Sequence, residues 1–225
     1  MGARLSRRTT LGWDAYVGRW SALHGGADPS GGVVRGWLRL VYRLGRGPAA
    51  LGVAPSAVTL LGLLVTAAAV PAAAAGGRWP VLAAAAIGLG GLLDGLDGAV
   101  AVLGDRVSRW GALLDSLADR LAEVALGGVL VVLGAPVWAV VLGVGAGWLL
   151  EYVRARTAAL GVDDIGVVSI GERPTRLAVV AMFALAAGVH PGWTPVLAAV
   201  AVAALAVTSV VGLVQVLLAV RRLLR

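Results

Sequence analysis

Long apolar segments follow one another along most of the 225-residue chain, and only short polar connections separate them. Hydrophobic residues make up 59% of the chain and charged residues only 14%, whereas a soluble domain carries about 25% charged residues. A helix satisfies its own backbone hydrogen bonds and can therefore cross lipid, where water is absent. The pattern predicts an all-α, polytopic membrane protein.

Six apolar segments are predicted to be transmembrane helices. They lie near residues 55–76, 80–103, 109–133, 135–153, 174–189 and 193–220. Proline stands at or just inside the start of four of them, where its missing N–H costs no helical hydrogen bond. We therefore expect a six-helix transmembrane domain over residues 48–225.

The distribution of arginine predicts how these helices are oriented. The chain has no lysine. If the N-terminus is inside, 18 of its 19 arginines lie in cytoplasmic segments or cytoplasmic helix halves, and only Arg78 lies outside. Basic residues of membrane proteins concentrate on the cytoplasmic side. We expect a multi-pass protein of the cell membrane with both termini in the cytoplasm.

The segment before the first predicted span has the pattern of an amphipathic helix. In GVVRGWLRLVYRLGR, residues 32–46, arginines recur every four residues, and Trp37 and Tyr42 fall on other faces. Such a helix lies in the membrane interface with its basic side towards the lipid headgroups. Residues 1–47 are therefore predicted to be a basic cytoplasmic segment that ends in a juxtamembrane helix.

Four aspartates lie inside this apolar chain, in two pairs that flank one short polar connection. They are Asp94, Asp97, Asp115 and Asp119. The members of each pair are three or four residues apart and share a helix face. A hairpin of the second and third spans brings both pairs to a similar depth. Each ionised group near the bilayer centre costs ~2.5–3.5 kcal/mol, so positive charge must compensate the cluster.

Arginine and divalent metal are the two available sources of that positive charge. Arg106, Arg109 and Arg120 lie near the aspartates in the sequence. Carboxylates without His or Cys suit Mg²⁺, Mn²⁺ or Ca²⁺, and four of them suit two closely spaced ions. We favour metal, because Gly98 and Gly111 each leave space beside a carboxylate where a ligand can approach.

The spacing of these residues resembles the signature of the CDP-alcohol phosphatidyltransferase family. The two halves read Asp94-x-x-Asp97-Gly98-x-x-Ala101 and Gly111-x-x-x-Asp115-x-x-x-Asp119. The resemblance extends over most of the chain. It implies transfer of a phosphatidyl group from CDP-diacylglycerol to the hydroxyl of a small alcohol, with release of CMP, in phospholipid biosynthesis. The expected partners are these two substrates and membrane lipid, with no nucleic acid.

The resemblance also implies roles for individual residues. The four aspartates would hold two Mg²⁺ or Mn²⁺ ions, and Asp119 would also be the general base for the acceptor hydroxyl. Residues expected to contact the CDP-lipid are Ser56, Thr59, Gly98, Ser108, Gly111 and Arg106. Simpler explanations exist for two of them, because Thr59 can bond its own helix and Ser108 can cap the third span.

The chain departs from the family pattern at two positions. Val102 stands where relatives have an arginine that contacts the CDP-lipid. Either Arg106, one turn further on, replaces it, or no residue does. Ser56 stands where many relatives have Asn or Asp. Because all four aspartates are kept, we expect a working enzyme. The alternative is a catalytically decayed member of the family.

The cytoplasmic connection between the fourth and fifth spans is rich in arginine. Its arginines are Arg154, Arg156, Arg173 and Arg176. A guanidinium grips phosphate oxygens in two places, so we expect an acceptor that carries a phosphate, although positive-inside topology alone also places arginines here. Tyr-x-x-Ala-Arg followed by Glu-Arg-Pro-x-Arg-Leu is similar to phosphatidylinositol phosphate synthases. Inositol phosphate is therefore favoured, and glycerol 3-phosphate is next.

Other classes of membrane protein also place carboxylates within the membrane. A divalent-cation transporter does so, but the sequence shows neither inverted repeats nor broken helices. Prenyltransferases of the UbiA type bind diphosphate through paired aspartates, but they usually have more spans and a wider Asp spacing. The glycine- and alanine-rich helices permit the close packing that a homodimer requires.

Overall fold

The computed structural model describes residues 10–23, 28–162 and 165–225, and all regular structure in these ranges is helical. The helices are α1 (Trp13–Leu23), α2 (Gly32–Leu51), α3 (Pro55–Ala67), α4 (Ala69–Ala74), α5 (Pro80–Leu103), α6 (Arg109–Val132), α7 (Val137–Ala158), α8 (Arg173–Val189) and α9 (Thr194–Leu223), with a 3₁₀ turn at Pro191–Trp193. The prediction of an all-α chain is confirmed. Residues 1–9 of the predicted basic segment lie outside the described residues.

Four helical segments of the described chain are long and apolar enough to cross a membrane. They are Pro55–Ala74, Pro80–Leu103, Val137–Ala158 and Pro191–Leu223. Helix α8 has only 17 residues. Helix α6 has 24 residues but carries four charged side chains between Asp115 and Glu123. The six-span topology and the side on which the termini lie remain predictions.

Local chemistry explains where several helices begin and end. The first predicted span is interrupted at Ala68, because Pro71 has no N–H to donate to the carbonyl one turn earlier. Helix α2 ends at Gly52, whose φ of 76° is in the left-handed region that favours glycine. Helix α6 begins after Ser108, whose side-chain oxygen accepts a hydrogen bond from the Gly111 N–H at 3.0 Å.

The chain divides into two compact units, and α3, α5 and α6 each run from one into the other. The first comprises Met1–Leu63 and Leu92–Ala118, as far as these are described, and the second comprises Leu64–Gly91 and Asp119–Arg225. Each unit has its own apolar core.

In the first unit, the apolar face of α2 is buried against the second half of α5. Leu38 and Val41 are buried in the core of this unit together with Val100 and Leu103. The ring of Trp37 packs so closely on α5 that a Cβ added to Gly95 would lie 2.6 Å from it. The predicted amphipathic helix is therefore present, and part of its apolar face contacts protein.

Helix α1 is an additional element that the apolar pattern did not predict. Tyr16 is buried, and the Trp13 and Tyr42 rings pack edge to face with their centroids 5.3 Å apart. The guanidinium of Arg39 lies 5.8 Å from the centroid of the Trp13 ring. Burial raises the pKa of Tyr16 to about 12. These contacts attach α1 to α2, and Tyr16 joins the apolar core of the first unit.

In the second unit, α9 packs against α7 and α8, and small residues allow the closest approach. A Cβ added to Gly212 of α9 would lie 2.6 Å from both the Cα and the N of Gly171, just before α8. Real side chains do not occupy such a distance from backbone. Gly212 therefore sets how closely α9 approaches the segment that leads into α8.

We predict that Gly212→Ala lowers the free energy of unfolding by about 1–3 kcal/mol, the usual cost of overpacking, since the Gly171 backbone must move. Gly145→Ala on α7 is the matched control, because no atom lies within 4 Å of the added Cβ. That variant should gain roughly 0.5–1 kcal/mol from helix propensity. Unfolding of the full chain in detergent micelles measures both, and equal melting temperatures would contradict the prediction.

Candidate active site

The two aspartate pairs occupy the end of α5 and the start of α6, on either side of the turn that joins these helices. In the first unit, a carboxylate oxygen of Asp94 lies within 4.8 Å of one from Asp115. Asp119 follows Asp115 by one turn on the same unbroken helix, and their carboxylates are within the same distance. Three of the four predicted metal ligands therefore form one half-buried acidic cluster.

The donor set of this cluster fits a hard divalent cation. Oxygen ligands about 2.0–2.6 Å from an ion lie at most roughly 4–5 Å apart, so carboxylate oxygens within 4.8 Å of one another are close enough to contact one ion. The three residues offer carboxylate oxygen only, the ligand that Mg²⁺ and Mn²⁺ prefer. A Cβ added to the exposed Gly98 would meet no atom within 4 Å, so space remains beside α5.

Asp97, the fourth predicted ligand, has a different environment. Its side chain is buried, and Oδ2 accepts a hydrogen bond from the Thr59 hydroxyl at 2.5 Å. The same hydroxyl lies 3.2 Å from the Pro55 carbonyl, which is the bond to its own helix that the sequence offered as the simpler explanation. Thr59 thus fixes the carboxylate that lies one turn after Asp94. The role of Asp97 as a metal ligand stays a prediction.

Arg106, the predicted substitute for the arginine missing at position 102, ties two loops together. Its Nη1 donates to the carbonyl of Gly52 at 2.7 Å and lies 3.2 Å from that of Val53. These carbonyls belong to the linker that leads into α3 and so to Thr59. Val102 is buried in the apolar core of the first unit. Arg106 therefore holds the loop on which the predicted CDP-lipid contacts depend.

The remaining predicted CDP-lipid contacts lie at the ends of helices. Ser56 is half-buried in the first turn of α3. Ser108 caps α6 through the Gly111 N–H, so the simpler explanation for Ser108 is confirmed. A Cβ added to Gly111 would lie 3.1 Å from the Ser108 oxygen, which leaves little room for a side chain at that position.

Three of the predicted acceptor arginines have clearly different surroundings in the second unit. Arg173 of α8 places Nη2 2.8 Å from Oδ1 of Asp119. Arg154 of α7 donates to Glu172 at 2.5 Å and to a loop carbonyl at 3.0 Å. Arg156 lies exposed in the last turn of α7. Arg173 is thus the one that the structure brings to a predicted catalytic residue.

Arg176, the fourth acceptor arginine, is buried in a network of charges. Its Nε donates to Glu123 at 3.1 Å, its Nη2 contacts Glu123 and also Glu151 at 3.3 Å, and its Nη1 donates to the Gly171 carbonyl. Arg120 donates to the second oxygen of Glu123 at 3.1 Å. Sequence reasoning missed Glu123, although its position four residues after Asp119 places it on the same face of α6.

Known proteins of one family are similar to this chain over the range that contains the site. A family model described as CDP-alcohol phosphatidyltransferase matches residues 52–220. An archaetidylinositol phosphate synthase of Pyrococcus horikoshii is 32% identical over 150 residues, which are 63% of this chain and 76% of that protein. The range that the family model matches includes both aspartate pairs and all four predicted acceptor arginines.

Solved structures from Mycobacterium tuberculosis are similar over most of the chain. Its phosphatidylinositol phosphate synthase with CDP-DAG bound matches with a TM-score of 0.64 and 31% identity, covering 81% of this chain and 94% of that one. The same protein in complex with manganese and citrate matches with a TM-score of 0.66 and 30% identity, covering 80% and 88%.

If the acidic cluster binds divalent metal, Asp94→Asn and Asp115→Asn should each abolish stabilisation of the chain by Mg²⁺. Specific binding at 100 times the dissociation constant adds about 2.7 kcal/mol to the free energy of unfolding, which is readily measured as a rise in melting temperature. Asp105→Asn removes the same charge from the exposed turn and should keep the full Mg²⁺ effect. An unchanged Mg²⁺ effect in both cluster variants would show that the cluster does not bind metal.

Proposed function

Because the chain belongs to the CDP-alcohol phosphatidyltransferase family, we propose that it transfers a phosphatidyl group from CDP-diacylglycerol to the hydroxyl of a phosphorylated alcohol. Inositol phosphate is the favoured acceptor, and glycerol 3-phosphate is the second candidate. The acceptor oxygen forms a new bond to the phosphatidyl phosphorus, and the bond from that phosphorus to the CMP oxygen breaks. The observation that carries the proposal is the cluster of Asp94, Asp115 and Asp119, located on the family's own motif.

The donor side of the proposed site is built on α3, α5 and the turn between α5 and α6. Thr59 holds the Asp97 carboxylate, and Arg106 holds the linker before α3. Ser56, Gly98 and Gly111 remain proposed CDP-lipid contacts, since each lies within a turn or two of these residues. The M. tuberculosis relative with CDP-DAG bound supports the choice of donor.

Asp94, Asp115 and Asp119 are the residues that would hold Mg²⁺ or Mn²⁺, with Asp97 as a fourth ligand and with two ions in the full site. Bound divalent metal would supply positive charge to the diphosphate of the donor and to the departing CMP. The manganese complex of the M. tuberculosis relative supports metal binding here. The protein's own part is to hold three carboxylates together on two helices despite their mutual repulsion.

Asp119 is the proposed general base that takes the proton from the acceptor hydroxyl. Its neighbour Arg173 makes this assignment geometrically reasonable, because one nitrogen of the guanidinium lies 2.8 Å from Oδ1. A guanidinium carries five N–H donors in a planar fork. Arg173 can therefore contact Asp119 and the phosphate of the acceptor together, which would place the acceptor hydroxyl next to its base.

The other acceptor arginines contribute to different degrees. Arg156 is exposed and available to phosphate, whereas Arg154 is bonded to Glu172 and a loop carbonyl. Arg176 is buried and directs its nitrogens at Glu123, Glu151 and the segment before α8. We therefore propose Arg173 and Arg156 as direct phosphate contacts and Arg154 as a weaker one. Because Arg176 is buried, we propose that it acts on the site through the residues it contacts and does not bind the phosphate itself.

We also propose a six-span, multi-pass arrangement in the cell membrane, with the active site and both termini facing the cytoplasm. The four candidate spans and the asymmetry of arginine along the chain support it. Helices α6 and α8 would complete the set of six. In this arrangement the water-soluble acceptor enters from the cytoplasm and the lipid donor enters from the bilayer.

Turnover in liposomes tests the proposed function. With CDP-diacylglycerol and Mg²⁺, we expect CMP release to require an acceptor, with inositol 1-phosphate the most effective, glycerol 3-phosphate next and unphosphorylated inositol the least. A charge-assisted contact is worth about 1.5–3 kcal/mol, so the difference between inositol 1-phosphate and inositol should be about tenfold or more in kcat/KM.

The control for this assay is the Asp115→Asn protein in the same liposomes, which should release no CMP with any acceptor. Equal use of inositol and inositol 1-phosphate would contradict a phosphorylated acceptor. Release of CMP that is independent of every alcohol would contradict the transfer reaction itself.

A further inference from the structure

Two ion pairs connect α6 to the first turn of α8, one helical turn apart. The outer pair is Asp119 and Arg173, with both side chains 19% exposed. The inner pair is Glu123 and Arg176, with side chains 4% and 2% exposed. Glu123 follows Asp119 by four residues and Arg176 follows Arg173 by three, so both pairs use the same face of each helix.

The inner pair is held much more firmly than the outer one. Arg176 contacts Glu123 through two nitrogens, and its third nitrogen donates to the Gly171 carbonyl. On α7, a Cβ added to Gly147 would lie 3.1 Å from Nε of Arg176, so a side chain at this position would press on the guanidinium. Separating a buried pair leaves an uncompensated charge, which is strongly unfavourable.

Several contacts hold the segment around the start of α8, and the Arg176 guanidinium is the most deeply buried link from it to α6. Its N-cap residue, Glu172, makes no side-chain capping bond to the helix, because its carboxylate accepts from Arg154 and from Ser169. Arg176 reaches back across this turn to the Gly171 carbonyl. The Arg176 guanidinium therefore links the first turn of α8, which also carries Arg173, to Glu123 of α6.

We propose that Glu123 is a positioning residue for the acceptor: by holding Arg176, it fixes the first turn of α8 and so keeps the Arg173 guanidinium at Asp119. The proposal rests on the function proposed above, in which Arg173 binds the phosphate of the acceptor. Glu123 is buried and bonded to Arg176 and Arg120, so it acts on the acceptor only through its neighbours, and Arg176 is the one that reaches α8. The proposed acceptor side thus includes a second, buried ion pair, Glu123 and Arg176, and Glu123 lies outside the family's aspartate motif.

The test compares Glu123→Gln with Glu151→Gln in the full chain in liposomes. Both variants remove a carboxylate that contacts Arg176, but Glu151 is 30% exposed and contacts it through one nitrogen only. Glu123→Gln should raise the KM for inositol 1-phosphate by about tenfold, the size of one displaced charge-assisted contact, and leave the KM for CDP-diacylglycerol within about twofold. Glu151→Gln should change the acceptor KM by less than about threefold.

A paired variant separates positioning from stability. Glu123→Gln combined with Arg176→Gln leaves no buried charge unpaired, so its melting temperature should recover relative to Glu123→Gln alone. Its acceptor KM should stay raised, because the buried link between α6 and the first turn of α8 is then missing. Glu123→Asp keeps the charge and should retain both folding and most of the acceptor affinity.

Two results would overturn the proposal. One is an acceptor KM that follows the melting temperature and returns to the wild-type value in the paired variant. The other is an equal rise in the KM values of both substrates in Glu123→Gln. If Glu123→Gln does not fold, Glu123→Asp and the paired variant still decide, since normal acceptor KM in the paired variant contradicts a positioning role.

Binding of inorganic phosphate keeps this test independent of the proposed function. If the wild type turns over no acceptor, the proposed function fails, and calorimetry with inorganic phosphate in detergent then tests the positioning role. Phosphate should bind Glu123→Gln about tenfold more weakly than Glu151→Gln. Equal phosphate affinities of the two variants would overturn the role of Glu123.

Discussion

Mutual repulsion among carboxylates on apolar helices is the constraint on which the rest of this structure depends. Asp94 and Asp115 approach within 4.8 Å, and Asp119 follows one turn later on the same helix. In a low-dielectric region such charges raise the free energy of the fold unless opposite charge lies close to them. Arg173 supplies one such charge at 2.8 Å, and the donor set of the cluster suits divalent metal for the rest. A site that combines Arg173 with divalent metal would suit the diphosphate of the proposed donor.

The two arginines of the first turn of α8 illustrate how burial divides roles between identical side chains. Arg173 and Arg176 are one turn apart, yet the first is half-buried beside Asp119, the proposed general base, and the second is almost fully enclosed. Enclosure is possible because Gly147 leaves room for the guanidinium. The buried arginine can stabilise geometry but cannot reach a substrate, whereas the half-buried one can do so.

The helices that carry the site could be predicted closely from the sequence. Helices α5 and α6 begin and end within one residue of the predicted bounds. Their starts were predictable because Pro80 fits the first turn of α5 and Ser108 caps α6. The proximity of Asp94, Asp115 and Asp119 could be predicted from their spacing along α5 and α6 and from the short connection between these helices. Helix α1 could not be predicted from apolar length, since tertiary packing of Tyr16 against α2 stabilises it. The burial of Arg176 was also out of reach, because spacing along one helix does not reveal what the neighbouring helices place opposite it.

The central claim is that the acidic cluster, together with divalent metal, binds the diphosphate of the donor and that Asp119 takes the proton from the acceptor hydroxyl. Asp119→Asn keeps size and one oxygen but loses charge and basicity, and it tests this claim when CDP-diacylglycerol binding and single-turnover CMP release are measured on the same protein. We predict that the variant still binds the donor in the presence of Mg²⁺ and that CMP release falls by about 10²–10⁴-fold, the usual contribution of a positioned base. CMP release within about threefold of the wild-type rate would show that Asp119 is not the base, because a loss that small lies far below that range.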